Sequence, residues 1–376
     1  MSKRKTSVND GAAAKRPAKQ EEQFLYLVLD DWEKGYSVRK LDVDVLQLHS
    51  DDQEPEPFTE PPLARFDVVH GYSHSIVAHG TKIVAMKPHE SSPAIPAFDT
   101  ATSAVGILPW PEFHMDFGLP LVISIAGKLF LFIYTSYYLG DPPAPAPPLT
   151  VYPPPEKKPW AWTTISSRLP FNSTCILGYA VHPDGRTLFV SADRFTSDTQ
   201  KGTFSFDTKC LEWTRQGDWL LPFYGQAHYV AELDAWVGLC RHKGGTGQLC
   251  SSDVVPLHAE GRTTLPRWRI LVEDRLFDRE SPLHLGAKLV HMGGTRFCVV
   301  QTMWHKDDDD ARRKAKETVG YVGPPRVVIC ITSLAVDYDE EGELRLKSRL
   351  LARQLKVFKR AHEICDLSEA PLAFWI

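Results

Sequence analysis

The chain has 376 residues, 43% of them hydrophobic and 24% charged, with 29 prolines and 24 glycines scattered between short apolar runs. That composition suits one large repeat fold, or two or three ordinary domains, built from strands and turns in preference to long helices. The net charge is −4, and residues 1–20 hold six Lys or Arg against one acid, which leaves −9 on the remainder and excludes the body as a general polyanion binder; no nucleic-acid partner is expected for it.

Residues 1–22 are polar, basic and alanine-rich, so a disordered basic tail is predicted. Lys3 and Arg4, a ten-residue spacer, then Lys15, Arg16 and Lys19 form a bipartite basic pattern of the kind import receptors bind. The tail is therefore a candidate nuclear-import segment, with an import receptor as its partner. It has no apolar stretch, so no secretory signal is expected.

A single β domain is predicted over 23–376. FLYLVLDD, GYSVRKLDVD and PLARFDVV give three strands of a first unit; HSIVAHG, TKIVAMK, AIPAFDT and AVGILPW give a second. LPLVISIA, GKLFLFIY, LTVYPPP and PWAWTTI give a third, interrupted by a Pro-rich insertion over 139–158 whose GDPPAPAPP cannot supply strand hydrogen bonds. Leu119 to Tyr134 is the most apolar segment, but Gly127-Lys128 divides it into two strand-length halves. A hairpin is expected there, and no membrane span, which needs about 20 uninterrupted apolar residues.

The fourth unit is the clearest. CILGYAV ends at His182-Pro183-Asp184-Gly185, whose residue types favour a tight reversal. RTLFVSA is apolar at Leu188, Phe189 and Val190, as in a strand covered on both faces. TFSF, the turn Asp207-Thr208-Lys209 and LEWT complete it. AHYVAEL, DAWVGLCR, GQLCSSDVV and RWRILVED form the fifth unit; LGAKLVHM, TRFCVVQTMW, PRVVICITSLAVDY and ELRLKSRLLA form the sixth. The sixth holds a charged insertion over 305–320, expected to be a solvated loop. Leu346, Leu350, Leu355 and Phe358 would also fit one helix face, but the alternation Leu344, Leu346, Ser348, Leu350 favours a strand.

Third-strand anchors fall near Leu41, Phe98, Val151, Phe206, Val254 and Val336. A spacing of about 50 residues suits kelch-like propellers better than the ~40–45 of the Trp-Asp class. The predicted fold is all-β: a kelch-like β-propeller of six four-stranded blades. Because the first unit lacks a strand, the C-terminal Ala370–Ile376 is expected to pair with it and close the ring.

Seven cysteines, at 175, 210, 240, 250, 298, 330 and 365, are odd in number and lack CxxC spacing. Most lie in apolar strands as free thiols, the pattern of an intracellular protein, nuclear or cytoplasmic. His70, His74 and His79 have no zinc spacing, and Cys240, His242 and Cys250, which could meet across a hairpin, read better as packed strand residues. Lys243 to Gly247 lacks the order of a phosphate loop, no GxSxG elbow occurs, and Asp307–Asp310 lacks the alternation of a calcium loop. Asp30, Asp31, Asp42 and Asp44 read as turn caps, and Trp110, Trp162, Trp213 and Trp268 as packing between units. No catalytic residue, metal site or cofactor is assigned.

YLVLDDWEKGYSVRKLDVD, YAVHPDGRTLFVS, GTFSFDTKCLEWTRQGDWLLPF and ELDAWVGLC resemble the large plant family, expanded in grasses, of kelch-like propeller proteins carrying a domain of unknown function. The resemblance spans Gln23 to Ile376 and implies a propeller of plant origin, with no established catalytic residues. Some such propellers follow an F-box and act as substrate adaptors of ubiquitin ligases; the 22 residues before the first strand are too few for that helical bundle.

The leading expectation is a non-enzymatic, monomeric interaction scaffold for an unknown protein partner. The alternatives are an adaptor lacking its own F-box, an enzyme or carbohydrate-binding propeller using a central channel, and a nuclear adaptor acting through its tail.

Overall fold

Strands form where short apolar or alternating runs end in residues that favour reversal. The computed structural model of the chain describes residues 23–43, 54–58, 61–68, 75–86, 94–110, 121–132, 149–152, 162–165, 169–193, 201–257, 264–273, 275–310, 313, 326–358 and 371–376. At the His182–Gly185 turn, Gly185 takes φ +70°, a left-handed conformation that is cheap only without a Cβ. The Asp184 carboxylate accepts from the Arg186 N–H (3.0 Å), the Thr187 N–H (2.9 Å) and the Thr187 hydroxyl (2.7 Å). Burial alone would raise this carboxyl, but the donors outweigh it and hold its pKa at about 2.

In chain order, β1 (Leu25–Trp32) and β2 (Gly35–Leu41) form a hairpin, the two-residue β3 (Glu56–Pro57) follows, and β4 (Ala64–Asp67) pairs with β2. β5 (Ile76–His79), β6 (Lys82–Ala85), β7 (Ile95–Asp99) and β8 (Ala104–Leu108) make the second unit. β9 (Leu121–Ile125), β10 (Lys128–Phe132), β11 (Leu149–Tyr152) and β12 (Thr163–Ile165) make the third, so the segment 139–158 contains a strand. β13 (Ile176–Val181), β14 (Thr187–Ala192), β15 (Gly202–Asp207) and β16 (Glu212–Gly217) make the fourth. β17 (Phe223–Val230), β18 (Ala235–Cys240), β19 (Leu249–Asp253) and β20 (Trp268–Ile270) make the fifth. β21 (His284–His291), β22 (Arg296–Trp304), β23 (Arg326–Tyr338) and β24 (Leu344–Phe358) make the sixth. β25 (Leu372–Trp375) returns to pair antiparallel with β1, from Leu25↔Trp375 to Val28↔Leu372. The first unit therefore has the order β25-β1-β2-β4, which makes β2, with Leu41, its third strand.

The strand favoured over 346–358 is found, one strand was not foreseen, and one expectation is corrected. The helical alternative over 346–358 fails: β24 runs on to Phe358 against β23, burying Leu355 and Val357. β3 has no counterpart in the sequence reading; it lies parallel to β24, Glu56 opposite Leu355 and Pro57 opposite Lys356, making a fifth strand on that sheet. The charged insertion is not wholly solvated, because His305 and Asp308 are buried and Asp308 pairs with Arg326. One carboxylate of the acidic run thus has a cation waiting for it across the strand opening.

Both faces of the units are covered, and alternation along each strand decides which neighbour a side chain meets. Leu188 and Val190 of β14 pack with Phe130 and Phe132 of the third unit, whereas Phe189 packs with Phe223 and Trp236 of the fifth. The same rule gives clusters between units one and two (Val38, Phe66 with Ile83, Phe98), two and three (Ile95 with Leu129, Leu131), and five and six (Val237, Leu249 with Val299, Leu334). A sixth joins the last unit to the first: Cys298, Val300 and Ile331 with Leu25, Leu27 and Ala373. Each fully buried Leu, Val or Phe contributes ~1.5–3 kcal/mol.

First strands of neighbouring units also adjoin. β13 and β17 pair in parallel through Gly178↔Gly225, Tyr179↔Gln226 and Ala180↔Ala227. β5 lies against β9, β17 against β21, and β21 against β25. The approach of β13 to β17 needs a glycine: a Cβ on Gly178 would lie 2.6 Å from the Phe223 carbonyl oxygen.

Candidate functional site

Every unit ends in an outer strand whose far edge offers backbone N–H and C=O groups, which invite pairing with another chain unless the edge is blunted. β4 carries exposed Arg65 and Asp67, and β16 carries exposed Glu212 beside Arg215, which pairs with Asp218 at 2.6 Å. β24 carries exposed Arg345, Lys347 and Arg349, and over Leu355 and Lys356 its edge is covered by β3. β8 differs from these. Its sequence Ala-Val-Gly-Ile-Leu has no charge and no proline, and Val105 and Ile107 are 57% and 74% exposed. Among the described residues no strand pairs with its far side.

The hairpin that presents β8 is pinned. Asp99 at the end of β7 accepts from the Thr81 hydroxyl (3.0 Å) and the Ala101 N–H (3.1 Å) and pairs with Lys82. Burial would raise its carboxyl, but Lys82, Thr81 and Ala101 together lower it. Ser103 completes the turn at φ +54°. The register that follows sets Val105 opposite Phe98 and Ile107 opposite Pro96, while Leu108, on the other face, is buried between units two and three. Val105 and Ile107 therefore share one exposed face.

The residues singled out in the sequence lie elsewhere. Lys3, Arg4, Lys15, Arg16 and Lys19 fall outside the described residues, as do His70 and His74. His79 is buried and its Nδ1 lies 2.8 Å from the Ser124 hydroxyl; burial, then the charge of Lys82, lowers its pKa and keeps it neutral. Cys240 and Cys250 are buried neighbours. The hydrogen bond from Cys250 lowers the Cys240 thiol, whereas burial pushes Cys250 well up, with its Sγ donating to the Pro222 carbonyl at 3.4 Å. His242 stacks on Trp268, ring centroids 4.2 Å apart. Among the described residues no group of three or more His, Cys, Asp or Glu is arranged to hold a metal ion. Trp110 and Trp162 pack between units two and three, Trp213 between three and four, and Trp268 between four and five. Sequence reasoning passed over Val105 and Ile107; the available signal was that AVGIL has no charge, unlike the outer strands β4, β16, β20 and β24.

One family model matches residues 22–352, that of a protein of unknown function, DUF1668. The chain belongs to the DUF1668 family. No kelch and no F-box model matches this DUF1668 protein, so the resemblance read in the sequence holds only for its domain of unknown function. Among curated proteins none matches.

Solved structures that the DUF1668 chain matches include a candidate 6-phosphogluconolactonase of Bacteroides fragilis, 12% identical, over 96% of this chain and 100% of that one, with a TM-score of 0.43. A second, of Bacteroides uniformis, is 9% identical over 95% and 100%, TM-score 0.39. The hydrazine synthase of Kuenenia stuttgartiensis is 12% identical over 77% and 69%, TM-score 0.34. The expectation of a non-enzyme is corrected on this finding: enzymes stand among the matched structures, and lack of a recognisable catalytic set in the sequence does not remove the chain from that class. At these scores the likeness assigns no activity or substrate.

Proposed function

We propose that this DUF1668 protein is a protein-interaction scaffold built as a six-bladed β-propeller, and that it takes its partner by strand addition at β8. The propeller reading is supported by six units of four strands, the sixth extended by β3, by six clusters that join them in a cycle, and by β25 completing the first unit. The interaction reading is carried by one observation: an outer strand of five uncharged residues with Val105 and Ile107 exposed on one face. Strand addition supplies affinity through main-chain hydrogen bonds and specificity through alternate side chains. The partner is accordingly an extended segment with apolar residues at every second position. The chain already uses this mode on itself, where β3 extends β24.

The test is selection of peptides from a random display library on the full chain, followed by binding to wild type and to Val105→Lys/Ile107→Lys. Lysine on an edge opposes pairing without disturbing a fold. Alternating apolar peptides that bind wild type and lose at least tenfold in the double variant support the proposal. Peptides indifferent to the substitutions overturn it. Self-association abolished by the same substitutions would make β8 a contact between copies of this chain and also overturn it.

A further inference from the structure

The main chain of β7 decides which groups of β8 face outward. Thr100 N–H donates to the Thr81 carbonyl at 2.8 Å, and in an antiparallel sheet successive residues turn their main-chain groups to opposite sides. Phe98 and Pro96 therefore face β6, which suits a proline with no N–H to give. Asp99, Ala97 and Ile95 face β8, where they stand opposite Ala104, Gly106 and Leu108. Val105 and Ile107, opposite Phe98 and Pro96, consequently direct both N–H and C=O to the edge that no strand pairs among the described residues. That edge is short. The next outward carbonyl, that of Pro109, already accepts from the Trp162 indole N–H at 2.7 Å.

Gly106 lies between the two outward residues. It does not adopt a positive φ, and a Cβ placed on it would meet nothing within 4 Å. Neither backbone conformation nor packing inside the chain calls for glycine here, in contrast to Gly178 and Gly238, whose added Cβ would lie 2.6 Å from atoms of Phe223. A glycine weakens a strand, and one inside it marks a place where a ligand or a second backbone comes close. Ala104 and Gly106 are exposed. They share a face with Leu108, on the side of unit three, where Trp110 and Trp162 pack against the cluster that buries Leu108.

We infer that Gly106 is the specificity notch of the β8 edge and takes an aromatic side chain of the partner segment, at the residue between the two that pair with Val105 and Ile107. The inference rests on the strand-addition reading and adds an aromatic residue between two of the partner's apolar positions. An antiparallel segment, the more stable pairing, sets one residue opposite Ile107 and the next but one opposite Val105, each exchanging both main-chain hydrogen bonds. The residue between them stands opposite Gly106 in the closely spaced, non-hydrogen-bonded position, with Cα atoms ~4.5 Å apart. Its side chain projects over Gly106 on the unit-three face. An aromatic ring there covers main chain that an edge glycine leaves bare. The recognised core is therefore three residues: aliphatic, aromatic, aliphatic.

The probes are two fluorescein-labelled peptides, Lys-Thr-Val-Phe-Val-Thr-Lys and Lys-Thr-Val-Ala-Val-Thr-Lys, titrated with the full chain and read by anisotropy. Wild type should hold the Phe peptide about fivefold more tightly than the Ala peptide, the size of one good cross-strand aromatic contact. Gly106→Thr, which holds a ring off the main chain, should cut that preference to below about twofold while the Ala peptide binds no worse. Its Cβ enters open space, so an unchanged or higher urea midpoint shows that the fold is intact. Val105→Lys/Ile107→Lys should release both peptides. Equal binding of the two peptides to wild type, or a Phe preference that survives Gly106→Thr, overturns the inference and leaves strand addition standing as long as the double lysine variant loses both. Binding of neither peptide overturns the inference too. Binding indifferent to the double lysine change overturns the strand-addition reading along with it.

Discussion

Removing residues 371–376 takes β25 away from β1. Leu372 and Phe374 are each 9% exposed and Ala373 1%, and burying a Leu or Phe is worth ~1.5–3 kcal/mol, so those two side chains alone supply ~3–6 kcal/mol. The bonds Phe24 N–H to Ile376 C=O (2.9 Å) and Ile376 N–H to Phe24 C=O (3.2 Å) go too, each worth about 0.5–1.5 kcal/mol net. Leu25, Leu27 and Val28, now at most 3% exposed, would be partly uncovered. Against a whole-domain stability of ~5–15 kcal/mol, the deletion should abolish cooperative unfolding at room temperature. Phe374→Ala alone should cost ~3–5 kcal/mol and Leu372→Ala ~2–5 kcal/mol. Urea titration followed by tryptophan fluorescence and far-UV circular dichroism measures all three. A truncated chain with an unchanged midpoint, or Phe374→Ala losing less than about 1 kcal/mol, would refute the reasoning that β25 closes the first unit.

Two further outcomes follow from local geometry. Gly178→Ala should lose ~1–3 kcal/mol in the same titration, because its Cβ meets the Phe223 carbonyl at 2.6 Å on rigid backbone; a neutral effect would mean that β13 and β17 separate at no cost. Asp184 titrates at about 2 folded against 3.8 unfolded. A depressed carboxyl stabilises above the unfolded value, so its contribution, on the order of 2 kcal/mol, is complete at neutral pH and drains away between about pH 4 and pH 2. Asp184→Ala should flatten that arm of the stability profile, and a variant whose profile parallels wild type there contradicts the cap.

Much of the strand order was legible because both periodicity and turn chemistry were strong. His182 to Gly185 names its own reversal, and the triple Leu188-Phe189-Val190 announces that both faces are covered. What covers them was not legible: Phe130 and Trp236 lie 59 and 47 residues from Phe189, and only the lateral order of units brings them to opposite faces. β3 gave no signal because Glu-Pro has one N–H to offer and no apolar residue. Asp308 was read with its neighbours as solvated, since a run of four carboxylates hides the one that faces Arg326. Val105 and Ile107 were passed over for the converse reason: apolar residues in a strand are expected to be covered, and β8 leaves them open.

The central claim is that β8 is a docking edge, and hydrogen exchange of its amides measures this most directly. With a peptide selected on the full chain, the account predicts slowed exchange confined to residues 104–108 of β8 and the side of the hairpin that carries it. Exchange slowed instead on the first strands, or unchanged at 104–108 with peptide bound, would contradict it.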